Sequence, residues 1–133
     1  MTNKEIVRAW FSNIDNGHFE GLKSQMAPNH TFQNSMSPAT ANVEEHLGLI
    51  KMMTGALTGT HSLEQVISHG EWVAVAGSWS GKHTGDFNGI PASGKPVHFT
   101  WIDVLHIING KVADERMELN PMSIMAQINP SSN

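Results

Sequence analysis

The sequence predicts an α+β fold in which three N-terminal helices pack on a strongly curved, mainly antiparallel sheet, with a short helix at the C-terminus. Two observations support this prediction. Apolar residues follow helical spacing through roughly the first sixty residues and alternate with polar residues in the strand-like segments after them. Because the helices precede the strands instead of separating them, the pattern favours an α+β fold over a doubly wound sheet. We expect the helical layer and the curved sheet to enclose a cavity.

A capping-box spacing marks the start of the first helix. Thr2 and Glu5 stand three residues apart, so the hydroxyl and the carboxylate can satisfy each other's backbone donors. The turn-forming run 15–17 ends the helix. Its buried face is predicted to consist of Ile6, Val7, Trp10, Phe11 and Ile14.

The next two helices are predicted over 18–26 and from Asn42 onward. Residues 28–40 between them are rich in turn formers, with one short buried stretch at Phe32. Asn42 and Glu45 form a second capping-box-like start, and 58–59 end the third helix. The inward residues of the second helix are predicted to be Phe19, Leu22 and Met26, and those of the third Val43, Leu47, Ile50, Met53 and Leu57.

Strand patterns begin near Leu63 and strengthen toward the C-terminus. Residues 63–67 alternate, 69–70 form a turn, and 72–83 place Val73, Val75 and Trp79 on one face. The segment 85–96 contains three glycines and two prolines and is predicted to be a loop.

The end of the chain is predicted to be a hairpin followed by a helix. Residues 97–108 and 112–119 pair through the turn Asn109-Gly110. Asn120 and Pro121 then supply an N-cap and an N1 proline for a helix that buries Ile124, Met125 and Ile128. The tail 130–133 is expected to fray.

Length and composition predict a single domain over 1–133 and exclude several kinds of site. There is no Cys and no Tyr, which excludes a thiol nucleophile, a disulfide framework and a phenolic acid. The net charge is −4, so nucleic acid is not an expected partner. No signal-type core or long apolar run occurs, which favours a soluble cytoplasmic protein without membrane contact.

Eight Met and four Trp are plentiful for 133 residues. Both side chains are large and adaptable, and they can form a core or line a ligand cavity equally well. The sequence pattern alone leaves that choice open.

Asp103 is the most informative polar residue. It is a single acid on a strand face otherwise formed by Phe99, Trp101, Leu105 and Ile107. Burial would raise its pKa and make it a candidate general acid or base. The alternative is structural: without a bulge, the hairpin register places Arg116 opposite Asp103, where the two could form a salt bridge.

The remaining polar residues show weaker patterns. The eight histidines lack metal-ligand spacing, so no metal site is predicted. His83, beside the glycine-rich loop, is a candidate pocket residue, although a surface histidine is the simpler interpretation. The serine-containing run 77–81 lies inside a strand pattern and does not form a nucleophile elbow.

Three segments together resemble the SnoaL-like polyketide cyclase family of the nuclear-transport-factor-two-like cone superfamily. They are WSGKHTGDFNGIPASGKPV at 79–97, FTWIDVLHIINGKV at 99–112 and NPMSIMAQI at 120–128. The resemblance covers nearly the whole chain. It implies a cystatin-like cone with a deep apolar pocket, a homodimer or higher oligomer, and cofactor-free aldol-type cyclisation with an Asp as acid/base.

The family's acid/base Asp falls on Met117 in this sequence, and a second family Asp falls on Asn120. A family Trp falls on Arg116, a pocket His falls on Asp103, and a family Asn that reaches the pocket matches Asn34. Since a thioether cannot transfer a proton, either Asp103 has taken over the proton chemistry or the reaction has been lost.

The leading hypothesis is therefore a cofactor-free cyclase or isomerase that acts on a small hydrophobic or polyketide-like carbonyl compound. Asp103 would transfer the proton, and the substrate would contact Asn34, Trp79, His83, Trp101, Arg116, Met117 and Asn120. Two alternatives remain. The absence of acids at 117 and 120 suggests a non-catalytic module that binds hydrophobic ligands. Epoxide hydrolysis would instead use Asp103, Arg116 and Asn34.

Overall fold

The computed structural model describes residues 1–130. Within them the chain forms α1 (Asn3–Asp15), α2 (Phe19–Ser24), β1 (Met26–Asn34), β2 (Ser37–Ala41), α3 (Val43–Ala56), β3 (Leu57–His69), β4 (Trp72–His83), β5 (Pro96–Ile108), β6 (Lys111–Leu119) and α4 (Pro121–Ile128). The strands form one sheet in the order β2-β1-β6-β5-β4-β3. Neighbours are antiparallel except β1 and β6, which are parallel. The predicted α+β architecture is confirmed.

Both capping boxes are present, and the long helices form where their apolar stripes predict them. Thr2 caps α1 together with Glu5, and Asn42 caps α3 together with Glu45. All five apolar residues predicted for the inner face of α1 are buried. Because α3 ends at Ala56 and β3 starts at the next residue, 58–59 lie in a strand and do not form the predicted helix-ending turn.

The segment 28–40 was wrongly predicted to be turn-rich, since it forms most of β1 and β2. Pro38 lies in β2, an edge strand of the sheet. Its missing N–H is tolerated there because one side of an edge strand pairs with no other strand. Most of β2 is exposed, so it lacks the alternating pattern that identifies a strand. Met26, predicted as the end of α2, is instead the first residue of β1.

A β-bulge at Ala113 decides the register of the terminal hairpin. The turn Asn109-Gly110 forms as predicted, and Ile107 pairs with Val112. The next pair is His106 with Asp114, which leaves Ala113 as an extra residue in β6. Every later pair is therefore shifted by one position.

This shift makes the predicted pairing of Asp103 with Arg116 wrong. Asp103 pairs with Met117, and Arg116 pairs with Val104 on the other face of the sheet. Met117, which the resemblance aligns with the family's acid/base Asp, thus lies beside Asp103.

The core fills the space between the concave face of the sheet and the helices. Val73, Val75 and Trp79 of β4 are buried, as predicted, and so are Ile124 and Ile128 of α4. No helix among residues 1–130 has the length and apolar character needed to cross a membrane. The predicted fraying of the tail concerns mainly 131–133, which lie outside the described residues.

Candidate active site

A cavity of about 490 Å³ opens between the concave face of the sheet and α3. This volume lies within the range of small-molecule sites. Its wall is mostly apolar, and its titratable side chains are His46, His61 and Glu115. Four methionines also line it: Met36, Met52, Met53 and Met117. The surplus of Met seen in the sequence is thus partly a cavity lining.

Two tryptophans form an aromatic wall. Trp101 stacks on Phe11 with ring centres 4.8 Å apart, and Trp79 stacks on Phe99 at 5.3 Å. Gly77 makes room for Trp101, because a Cβ at this position would lie 2.6 Å from the indole Cζ2. The strand glycines therefore allow large rings to lie flat along the sheet.

Asp103 is fully buried and lies behind the cavity wall. No side-chain donor reaches either carboxylate oxygen, so the carboxyl has no compensation for its lost hydration in the charged form. Burial raises the pKa of Asp103 well above its usual range, and the neighbouring Glu115 raises it further. Asp103 therefore holds a proton at pH values where exposed carboxyls are ionised.

Glu115 is the acid that contacts the cavity, and sequence reasoning missed it. Its side chain is buried, and it lines the cavity wall in front of Asp103. Burial raises the pKa of Glu115, although Asp103, the charge of His61 and the indole of Trp10 act in the opposite direction. Burial raises the pKa of both neighbouring carboxyls, so the pair holds protons to a higher pH than exposed carboxyls do.

A row of two coplanar histidines continues from Glu115 toward the backbone. His46 Nε2 lies 3.4 Å from Glu115 Oε1, and His46 Nδ1 lies 2.8 Å from His30 Nε2. His30 Nδ1 lies 2.8 Å from the carbonyl oxygen of Val112. Burial lowers the pKa of His46 to about 3 and also lowers the pKa of His30, so both rings are neutral near pH 7.

His61 is a second titratable group on the cavity wall, oriented by Asp15. Its Nδ1 donates to Asp15 Oδ1 at 2.6 Å, and its backbone N–H donates to Asp15 Oδ2 at 2.9 Å. Within residues 1–130 no protein group hydrogen-bonds to Nε2. A carboxylate on Nδ1 keeps the proton on that nitrogen, which leaves Nε2 as the basic atom.

The predicted site residues divide into those that line the cavity and those that do not. Asn34, Trp79, Trp101 and Met117 line it, as expected. Asn120 lies in a separate shallow groove, and its Oδ1 caps α4 by accepting from the N–H of Met122.

Two predicted site residues, His83 and Arg116, do not line the cavity. His83 is fully buried away from the cavity and accepts the N–H of Ser93 at Nδ1. The side chain of Arg116 is 69% exposed and lies near Glu118 on the outer face. The arrangement of Asp103, Arg116 and Asn34 expected for an epoxide hydrolase is therefore not assembled.

The missed residues had little sequence signal. A hairpin register without the bulge places Arg116 on the face of Asp103 and its neighbour Glu115 on the opposite face, and His30 lies in the segment predicted to be turns. His61 lies in β3, where burial alternates but residues 58–62 are all polar or glycine, so the residue types do not reveal the inner face. Within the described part of the chain, no group of three His, Asp or Glu side chains is placed to hold a metal ion.

Comparisons with known proteins agree with this geometry. The sequence matches the profile of the SnoaL-like polyketide cyclase family over residues 4–128. A structure from Jannaschia sp. CCS1, described as a SnoaL-like polyketide cyclase, is 20% identical with a TM-score of 0.87, covering 96% of this chain and 92% of that one. No curated protein sequence matches.

Two further structures extend the range of activities found on this fold. IdmH from Streptomyces antibioticus, described as a polyketide cyclase, is 18% identical with a TM-score of 0.85, covering 96% of this chain and 98% of its own. An epoxide hydrolase from M. tuberculosis is 12% identical with a TM-score of 0.72, covering 93% and 86%. At these identities the structures show a shared fold and leave the reaction open.

Proposed function

Because the chain belongs to the SnoaL-like polyketide cyclase family, we propose that it is a cofactor-independent cyclase or isomerase that acts on a small hydrophobic or polyketide-like carbonyl compound. One observation carries the proposal. The apolar cavity brings together a carboxylate-oriented imidazole, His61, and a carboxyl with a raised pKa, Glu115. These are the two groups that general acid–base catalysis requires.

In the proposed reaction His61 Nε2 removes the proton from the carbon next to the carbonyl, and Glu115 donates its proton to the carbonyl oxygen. The resulting enol then adds to a second carbonyl group or takes a proton at another carbon. His61 ends as an imidazolium beside Asp15, and Glu115 ends as a carboxylate beside the protonated Asp103. As the product forms, the enol oxygen returns its proton to Glu115 and His61 protonates the new alkoxide or carbon, which resets the site.

The proposal assigns the role of the acid to Glu115 of β6, whereas the sequence hypothesis assigned proton transfer to Asp103 of β5. Asp103 lies behind the wall, and Glu115 meets the substrate. The protonated Asp103 supports the reaction by stabilising the neighbouring Glu115 carboxylate after Glu115 has given up its proton, since Asp103 lowers the pKa of Glu115.

Proton exchange next to a carbonyl tests the proposal without knowledge of the natural substrate. A set of β-dicarbonyl and polyketide-like aromatic ketones is incubated with the protein in D2O, and deuterium uptake and product formation are followed by NMR and mass spectrometry. We expect at least one compound to react, and we expect Glu115→Gln and His61→Gln each to lower the rate by about 100-fold or more. Asp114→Asn, next to Glu115 on the outer face, is the matched control and should retain the rate.

A non-catalytic module that binds hydrophobic ligands is the second candidate, favoured by the methionine-rich wall. It predicts saturable binding of the same compounds with no exchange and no product. Equal exchange rates in the wild type and in Glu115→Gln would also contradict the enzymatic proposal.

We also propose that the partner is a second copy of this chain, bound through the outer face of the sheet. Ile67, Trp72, Ile102 and Val104 form an exposed apolar patch on neighbouring strands. Sedimentation velocity should show a dimer, which Ile102→Glu should weaken. Met122→Glu, an equally exposed apolar position on α4, is the control and should leave the dimer unchanged.

A further inference from the structure

We infer that His30 and His46 are positioning residues that hold Glu115 as a neutral carboxylic acid, because the Val112 carbonyl fixes the tautomers of both rings. The inference rests on the proposed function in one respect: it takes Glu115 as the acid that meets the substrate. The row of groups itself is a feature of the structure and can be tested without turnover.

The argument starts at the backbone. A carbonyl oxygen can only accept, so the His30 Nδ1 that lies 2.8 Å from Val112 O carries a hydrogen. A neutral imidazole has one N–H, so His30 Nε2 is then a lone pair. The contact of 2.8 Å between His30 Nε2 and His46 Nδ1 consequently requires the hydrogen to be on His46 Nδ1.

The same logic reaches the cavity. With its hydrogen on Nδ1, the neutral His46 presents a lone pair at Nε2 toward Glu115 Oε1, 3.4 Å away. Two lone pairs facing each other in a buried site repel, whereas a protonated Glu115 donates an O–H to Nε2. The row therefore favours the neutral form of Glu115 over its carboxylate.

The alternative arrangement is an ion pair between a His46 imidazolium and the Glu115 carboxylate. Burial opposes it, since it lowers the pKa of His46 to about 3. The face of the His46 ring packs on Phe32 at 3.9 Å, and its side chain is only 3% exposed, so an imidazolium there would be poorly hydrated. The neutral row is the arrangement that the site favours.

Three other groups, each on a different element, change the pKa of Glu115. The neighbouring Asp103 of β5 lowers the pKa of Glu115, His61 of β3 lowers it when charged, and the indole of Trp10 of α1 lowers it weakly. All three groups lower the pKa of Glu115 and so favour its carboxylate, whereas a lone pair at His46 Nε2 favours the neutral acid. The histidine row is thus the part of the environment that selects the protonated form by hydrogen-bond direction.

Nitrogen NMR of the wild-type protein tests the inference directly. With labelled histidine at pH 7, we expect His30 and His46 both to show a protonated Nδ1 and an unprotonated Nε2. An Nε2–H tautomer or an imidazolium at either residue would overturn the inference. This measurement needs no variant, so a folding failure cannot hide the answer.

A pair of variants separates hydrogen-bond direction from burial. His46→Gln replaces the acceptor with an amide that can donate to Glu115, whereas His46→Phe keeps a flat buried ring and removes the acceptor without adding a donor. Carbon NMR of the labelled Glu115 carboxyl should show its pKa at least about one unit lower in His46→Gln than in His46→Phe, a tenfold weaker proton affinity. Equal titration of the two variants would mean that burial alone sets the protonation of Glu115 and would overturn the inference.

Failure of the inferred role of His30 and His46 can be distinguished from failure of the proposed reaction. If the tautomers and the titration are as expected but Glu115→Gln exchanges protons as fast as the wild type, the proposed reaction is wrong and the histidine row stands. If Glu115→Gln is inactive but the carboxyl is ionised at pH 7 in the wild type, Glu115 is catalytic and the inferred role of His30 and His46 is wrong.

Discussion

Strand β6 contributes an acid to a histidine–carboxylate pair on each face of the sheet. The pKa of the histidine is raised in the outer pair and lowered in the inner pair. On the outer face His106 lies 3.0 Å from Asp114 and 3.1 Å from Glu71, and these two acids raise its pKa. On the inner face His46 lies 3.4 Å from Glu115, the residue next to Asp114, yet burial lowers the pKa of His46 to about 3.

Ring stacking does not explain the difference. His106 stacks on Trp72 at 4.1 Å and 6°, and His46 stacks on Phe32 at 3.9 Å and 8°. What differs is access to water, because the outer acids are solvated and ionised whereas Glu115 and Asp103 are buried. The same residue types therefore form an ion pair outside and a neutral hydrogen-bonded row inside.

The largest expected difference in stability between the two faces comes from replacing the histidine on each face with alanine. His46→Ala should lower the free energy of unfolding by about 3–5 kcal/mol, since it empties a packed site and leaves His30 Nε2 without its donor. His106→Ala should cost about 1 kcal/mol or less, because water can replace its partners. Denaturant unfolding measures both, and equal losses would show that burial does not distinguish the two faces.

A smaller effect is expected in the pH dependence of the free energy of unfolding, with opposite signs for the inner and outer acids. The pKa of Asp103 is raised, so the folded chain holds a proton that the unfolded chain has released, and stability falls as pH rises above the unfolded value near 3.8. Asp103→Asn removes this loss, so its stability relative to the wild type should increase with pH by at most about 1.4 kcal/mol per unit. Unfolding measured between pH 4 and 8 checks the slope.

Asp114→Asn is the matched comparison for that slope. Hydrogen bonds from Thr31 and His106 lower the pKa of Asp114, so its contribution to stability is present above the unfolded value and is lost as pH falls. The destabilisation caused by Asp114→Asn should therefore shrink as the solution becomes more acidic. Parallel slopes in the two variants would contradict the assignment of opposite environments.

The smallest effect is expected from salt. The raised pKa of His106 gives a stabilisation that is complete below its unfolded value and is lost as pH rises through the folded one. At pH 6 and low salt, His106→Gln should cost about 0.2–1 kcal/mol, and 1 M salt should remove most of this cost. The change caused by Glu115→Gln should be insensitive to salt, which thermal unfolding at two ionic strengths would show.

The sequence allowed the fold to be predicted where local rules decide the structure. The capping boxes at Thr2 and Asn42 and the turn at Asn109-Gly110 need only neighbouring residues, and all three formed. The burial of Asp103 followed from alternation along β5. The strand β2 was missed because an exposed edge strand has no apolar face to reveal it.

The candidate site could be predicted only in part, for a different reason. Asn34, Trp79, Trp101 and Met117 were placed in the pocket by the family resemblance, and all four line the cavity. Glu115, His46 and His61 come from three elements that are distant in sequence, so no spacing rule connects them.

The sequence by itself determined the long helices, the terminal hairpin, the single buried acid on β5 and the family. Tertiary structure decided which acid faces the cavity. One extra residue, Ala113, bulges from β6 and turns Asp114 outward and Glu115 inward, because side chains alternate along a strand and one inserted residue exchanges the two faces. The parallel pairing of β1 with β6 then brings His30 to the Val112 carbonyl, a contact across 82 positions that the local pattern does not reveal.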